Sequence, residues 1–202
     1  MPIFRFLAAI GIGIASLTLT GCATTTSAGA VGADRSQLML ISSEQLEQTA
    51  AQGYTKLKNE ATQNGALNKD PKLLARLQVI ARRLEPQTGV FRKDAPGWKW
   101  EVNVIDSNEL NAFGMPGGKI MFYSELVNRL QLTDAEIAVV MGHEIAHALR
   151  EHSREQVSQA IAAQAALGLG SAALGLSQNA ATLANVGYEA LVATHFSRTD
   201  EA

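Results

Sequence analysis

The chain has 202 residues, 47% hydrophobic and 18% charged, a size and balance that suit one globular domain with a buried core. Its 17 Lys+Arg stand against 19 Asp+Glu, with no basic block and no basic-aromatic weave, so nucleic acid is not an expected partner. A single cysteine excludes an internal disulfide framework and any Cys-based zinc ribbon.

That cysteine closes the first predicted element. The N-terminus, MPIFRFLAAIGIGIASLTLTGC, carries Arg5, runs uncharged from Phe6 to Leu19 and ends Leu19-Thr20-Gly21-Cys22. The apolar run is shorter than the ~20 residues a membrane-spanning helix needs. It fits the h-region of a signal peptide. Its Leu-x-Gly-Cys ending resembles the bacterial lipobox, which implies that residues 1–21 are a lipoprotein signal peptide, cleaved before a lipid-modified Cys22. Acyl chains contribute about 0.8 kcal/mol per buried CH₂, so several would anchor the protein firmly. Ala23, rather than Asp, after the cysteine implies sorting to the bacterial outer membrane by resemblance to lipoproteins, with the domain facing the periplasm. Residues 22–40 are mostly small and polar and read as a flexible tether.

The domain proper is expected over 41–202. Ser42 and Gln45 form a predicted capping box that opens a helix over 43–63. Asp70-Pro71 marks a second helix start, followed at helical spacing by Leu73, Leu74, Leu77, Ile80, Ala81 and Leu84. The period changes at Trp98, Trp100, Val102 and Val104, which alternate with polar residues as a half-buried strand does. Pro116-Gly117-Gly118 is a turn, Lys119–Tyr123 a second strand, and Ser124 the cap of a short helix. Thr133 and Glu136 form another capping box ahead of the most informative stretch. Beyond it, AIAAQAALGLGSAALGL over 160–176 reads as a packed helical hairpin rather than a membrane span, and a last helix is expected from Ala180 onward.

The informative stretch is VVMGHEIAHALREH, residues 139–152. On a helix, His143 and His147 lie on one face with Cβ atoms roughly 5–6 Å apart. Two neutral imidazoles can hold Zn²⁺, which lowers the pKa of a water to about 7. Glu144, one step round the helix, is placed to take that water's proton and pass it to the leaving amine. The apolar neighbours Val139, Val140, Ile145 and Ala146, and the presence of only four histidines in the chain, favour a site over chance spacing on a solvated helix. His152 is five residues past His147. A continuous helix turns about 500° over that interval, so His152 should point away from the zinc face as an outer-shell or surface residue.

Taken with the upstream NAFGMPGGKIMFYSEL and the terminal SRTDEA, HEIAHALREH resembles peptidase family M48, which includes CAAX prenyl proteases and HtpX- and BepA-type enzymes. With the lipobox, the resemblance is nearest to its LoiP-like outer-membrane lipoproteins. It covers about residues 40–202. It implies an α+β zincin of the gluzincin kind, mostly helical with a small sheet, and one Zn²⁺ per chain. The third ligand it implies is Glu201, from Ser197-Arg198-Thr199-Asp200-Glu201, with Asp200 and His195 as fallbacks. It implies protein or peptide substrates and places Asn111, Ala112 and Phe113 near the cleft. Phe113 and Tyr123 can equally be core residues. An edge strand beside the metal binds peptide by strand addition in zincins, and Lys119–Tyr123 is the expected strand, with Lys119, Ile120 and Met121 as contacts. Family members continue past the third ligand, so a C-terminal part carrying the oxyanion stabiliser is expected to be missing here. The function implied is zinc-dependent endoproteolysis of misfolded or misassembled envelope proteins. A non-proteolytic chaperone or scaffold lipoprotein for outer-membrane assembly is the alternative, and zinc binding without catalysis a third.

Overall fold

A computed structural model describes residues 22–27 and 36–173. In chain order the elements are β1 (Cys22–Ala23), β2 (Gln37–Leu38), α1 (Ser43–Gln63), α2 (Pro71–Leu84), two 3₁₀ turns (Glu85–Val90 and Ala95–Gly97), β3 (Glu101–Ile105), β4 (Ala112–Met115), β5 (Lys119–Tyr123), α3 (Ser124–Asn128), α4 (Asp134–Leu149) and α5 (His152–Ala173). The architecture is α+β, mostly helical, around a three-stranded sheet.

The helices start where the local chemistry directs. Ser42 Oγ accepts the Gln45 N–H while Gln45 reaches back to the Ser42 N–H, and Thr133 and Glu136 do the same for α4. Asp70 accepts from the N–H groups of Lys72 and Leu73, with Pro71 in the first turn of α2. Ser124 does not cap α3. It is the first helical residue, and its hydroxyl donates instead to Asp106 Oδ1 at 3.0 Å.

The sheet order is β3-β5-β4, with β3 parallel and β4 antiparallel to β5. Helices cover both faces. Val102, Val104, Ile120 and Phe122 pack on one side against Leu77 and Ile80 of α2 and Ile137, Met141 and Ile145 of α4. Phe113, Met115 and Met121 pack on the other against Ala50, Tyr54 and Ala61 of α1. Each large apolar side chain buried this way contributes roughly 1.5–3 kcal/mol. β3 is therefore buried on both faces rather than half-buried, and it begins at Glu101. Trp98 and Trp100 lie ahead of it, partly buried against the α2–α4 core.

The one buried polar residue on the α1 face of β3, Asn103, is paired. Its amide donates to Tyr54 Oη and Glu101 Oε1, both at 3.0 Å, and its carbonyl accepts from Asn68 at 2.7 Å. Tyr54 Oη donates to the Ile120 carbonyl at 2.7 Å, which ties α1 to the central strand. Burial, more than any neighbouring charge, pushes the Tyr54 hydroxyl well above its ordinary pKa.

Two expectations change at the ends of the chain. The pieces 22–27 and 36–40 are docked rather than slack: Cys22–Ala23 pairs antiparallel with Gln37–Leu38, Gln37 is 1% exposed, and the Leu40 N–H donates to Ser158 Oγ at 2.8 Å. A polar, glycine-poor stretch can dock this way because its polar groups find partners on α5 and on the turn before it. Within the described residues, 160–173 belong to the single helix α5 and not to a hairpin. The alanines and leucines there keep helical propensity high enough to carry it through Gly168 and Gly170. The expected helix from Ala180 lies outside the described residues. No described helix is long and apolar enough to cross a membrane.

Candidate active site

The site is assembled on α4. Ile137, Met141, Ile145, Ala148 and Leu149 form its buried stripe, so the opposite side of the helix is left outward. That outward side carries Val139, 73% exposed, and His143, also exposed, with half-buried His147 one turn on. The imidazoles of His143 and His147 converge: their Nε2 atoms are 2.9 Å apart, with ring planes at 82°. Zinc–nitrogen bonds of 2.0–2.1 Å at a tetrahedral angle require ligand nitrogens about 3.3 Å apart. The pair thus fits a tetrahedral ion after a movement of a few tenths of an ångström. Among the described residues no third His, Cys, Asp or Glu completes a metal-binding group. The expected third ligand Glu201, and its fallbacks His195 and Asp200, lie outside the described residues.

Glu144 turns toward β4. Its Oε2 accepts the Gly114 N–H at 3.2 Å. The Tyr123 N–H donates to the Asn111 carbonyl at 3.0 Å, and Ala112 stands opposite Phe122 and Gly114 opposite Ile120. Because hydrogen-bonded and non-bonded pairs alternate in an antiparallel ladder, Asn111, Phe113 and Met115 face their polar backbone atoms to β5. Those of Ala112 and Gly114 face outward, toward α4. The approach is close enough to exclude a side chain: a Cβ on Gly114 would lie 2.6 Å from the Glu144 carbonyl oxygen. A glycine inside a strand commonly marks such a close backbone approach, and this was the available sequence signal for Gly114.

The expected substrate strand is corrected by this topology. β5 is hydrogen-bonded on both sides, so it has no edge to offer a peptide; β4 is the edge beside α4. Ile120 and Met121 are 1% and 0% exposed, in opposite faces of the core. Lys119 donates to the Lys99 carbonyl and lies 3.7 Å from Glu101 Oε2. Phe113 is buried and packs with Tyr123, ring centroids 6.3 Å apart, so its side chain serves the core. What β4 presents to the site is the backbone of Ala112 and Gly114. A four-residue strand with two small residues and no alternation carried no strand signal in the sequence.

The direction expected for His152, which assumed a continuous helix, does not hold. α4 ends at Leu149, Glu151 takes a left-handed φ of 50°, and α5 begins at His152. The break folds His152 back, so its Nδ1 lies 2.6 Å from His147 Nδ1. The corner is tightly held. Glu151 is 3% exposed, and its carboxylate accepts from Arg92 Nη1 at 2.6 Å and Arg154 Nη1 at 2.7 Å. Burial alone would raise its pKa, but hydrogen bonds from Arg154, Ser43 and Arg92 outweigh burial and hold the carboxyl below its ordinary range. The Arg150 carbonyl accepts from Thr25 Oγ1 and Gln37 Nε2, both at 2.9 Å. Nothing in the sequence marks a reversal at Glu151, since neither Gly nor Asn stands there.

Two convergent imidazoles, a carboxylate hydrogen-bonded to a strand edge, and backbone donors and acceptors along that edge are the parts that a metallopeptidase site uses. Residues 71–202, well over half of the chain, match the model of Peptidase family M48, and the chain belongs to that family. It is 29% identical to the metalloprotease LoiP of Escherichia coli over 206 residues, an alignment covering 100% of this chain and 75% of that protein. It is 31% identical to the human mitochondrial metalloendopeptidase OMA1 over 126 residues, 60% of this chain and 23% of the relative, and 30% identical to the bovine protein over 128 residues. The chain thus spans about a quarter of the length of these mitochondrial relatives.

Proposed function

We propose that this chain is a zinc-dependent metalloendopeptidase of the gluzincin type, with His143 and His147 as two metal ligands, Glu201 as the third and Glu144 as general base and acid. The observation that carries the reading is the convergence of the two Nε2 atoms at 2.9 Å beside a carboxylate anchored on a strand edge. When bound, zinc supplies Lewis-acid polarisation of a peptide carbonyl and lowers the pKa of a water to about 7. Glu144 accepts the proton of the attacking water at one carboxylate oxygen and delivers it to the leaving amine. The outward backbone groups of Ala112 and the Gly114 carbonyl receive the substrate as an added strand, so main-chain hydrogen bonds supply affinity with little side-chain selectivity. That mode suits extended, unfolded polypeptide.

The substrate class is accordingly misfolded or misassembled cell-envelope protein. The lipobox at Cys22 and the similarity to LoiP along the whole chain support an outer-membrane lipoprotein whose domain faces the periplasm.

Glu144→Gln tests the chemistry. Cleavage of an unfolded substrate such as casein should fall about 10²–10⁴-fold, while one zinc per chain remains bound. Undiminished cleavage would remove Glu144 from the mechanism. If the same variant still rescues an envelope-assembly defect in cells lacking the protein, the chaperone reading replaces proteolysis.

A further inference from the structure

The contact between His147 and His152 goes beyond the two-ligand motif. An imidazole that binds a metal through Nε2 carries a proton on Nδ1, and the acceptor of that proton fixes the ring's tautomer and direction. In this molecule the atom opposite His147 Nδ1 is a ring nitrogen, His152 Nδ1, at 2.6 Å with the rings inclined at 69°. On a straight helix His152 could not reach it; the left-handed Glu151 makes the contact possible.

A left-handed backbone costs a non-glycine residue roughly 1–2 kcal/mol, and it persists only where the surroundings over-determine it. Here they do. The Glu151 carboxylate is clamped by Arg92 and Arg154, and its carbonyl accepts the N–H groups of Arg154 and Glu155 at 2.8 and 3.1 Å. The start of α5, and with it His152, is thereby fixed independently of the metal.

We propose that His152 is the positioning residue for His147: its Nδ1 accepts the His147 Nδ1–H and aims the Nε2 lone pair at the point where the His143 lone pair also converges. His152 itself is not a ligand. The inference rests on the zinc reading above and deepens it, since it assigns the half of the His147 ring that the HExxH motif leaves unassigned.

The test uses the full chain in a Glu144→Gln background, which prevents self-cleavage, and measures affinity for zinc by competition with a chromophoric chelator. His152→Ala and His152→Leu should weaken zinc binding about 10–100-fold. His152→Gln, whose side-chain carbonyl can accept the same proton, should stay within a few-fold of the parent. A merely structural role would lower the thermal stability of the metal-free protein without separating Gln from Leu in metal affinity. If all three variants bind zinc as the parent does, the inference is overturned and the zinc reading stands. A parent that binds no zinc overturns both. Should the variants fail to fold, a through-hydrogen-bond coupling between the two Nδ1 nuclei in the ¹⁵N-labelled parent decides the matter. Its presence supports the assignment, and its absence in the zinc-loaded protein overturns it.

Discussion

The two flanks of α4 hold the site by different means. On the β4 flank the work is done by shape: Gly114 lacks a side chain, the helix backbone comes within 2.6 Å of where one would be, and a single backbone N–H meets Glu144. At the corner with α5 it is done by charge: Glu151, 3% exposed, sits between Arg92 and Arg154, and the Arg150 carbonyl collects two donors from the N-terminal segment. The first arrangement is intolerant of volume. The second depends on the carboxylate staying ionised. The carboxylate proposed as the base is thus held by a backbone N–H, a group that cannot titrate, and the buried charges are kept one turn beyond the histidines.

Glu151→Gln should separate the flanks most strongly. Removing one partner of a buried ion pair leaves the arginines uncompensated at a cost of about 3 kcal/mol, or roughly 6–12 °C in Tm for a chain of this size. The pH dependence has a definite sign. The Glu151 carboxyl is held below its ordinary value near 4.5, so its stabilisation is fully present above that pH. It is lost as pH falls through the lowered value. Thermal melts between pH 7 and pH 3 should show a steeper acid loss in the parent than in Glu151→Gln; parallel curves would mean that the corner is not held by charge.

Gly114→Ala should act on the other flank. Overpacking costs about 1–3 kcal/mol, and displacing Glu144, the proposed base, by the order of 1 Å costs roughly 10²-fold in activity. The stability loss should not vary with pH, and zinc content should be unchanged. A variant with parental kcat/KM would show that β4 does not locate Glu144.

Thr133→Ala should have the smallest effect. It removes the cap of α4 far from both flanks, lowering stability by about 1 kcal/mol and leaving zinc affinity and the acid limb of the melt unaltered. A change in either would mean that the whole helix, rather than its flanks, sets the site.

How much of this was legible depends on how local the cause is. The capping boxes, the bounds of α1 and β5, and the Pro116–Gly118 turn follow from residues within one turn of each other, and the sequence carries them. The HExxH geometry is equally local. Strand order is not: β3 and β5 meet through a parallel crossover, which puts β4 at the edge beside α4 and places Lys119–Tyr123 in the centre. His152 was misdirected for a related reason. Its position depends on Glu151 holding an unusual φ that is stabilised by Arg92, fifty-nine residues away in sequence. Gly114 lay between these cases, since the residue type hinted at a close approach without naming the partner.

The docking of Thr25 on the Arg150 carbonyl has a mechanical consequence. Three Cα–Cα steps separate Cys22 from Thr25, a reach of at most ~11 Å even when fully extended. A pull applied at Cys22 therefore has almost no slack to take up before it loads the β1–β2 pairing and then the carbonyl just beyond α4. The segment behaves as a short strut, and strain entering at Cys22 would be delivered two residues from His152.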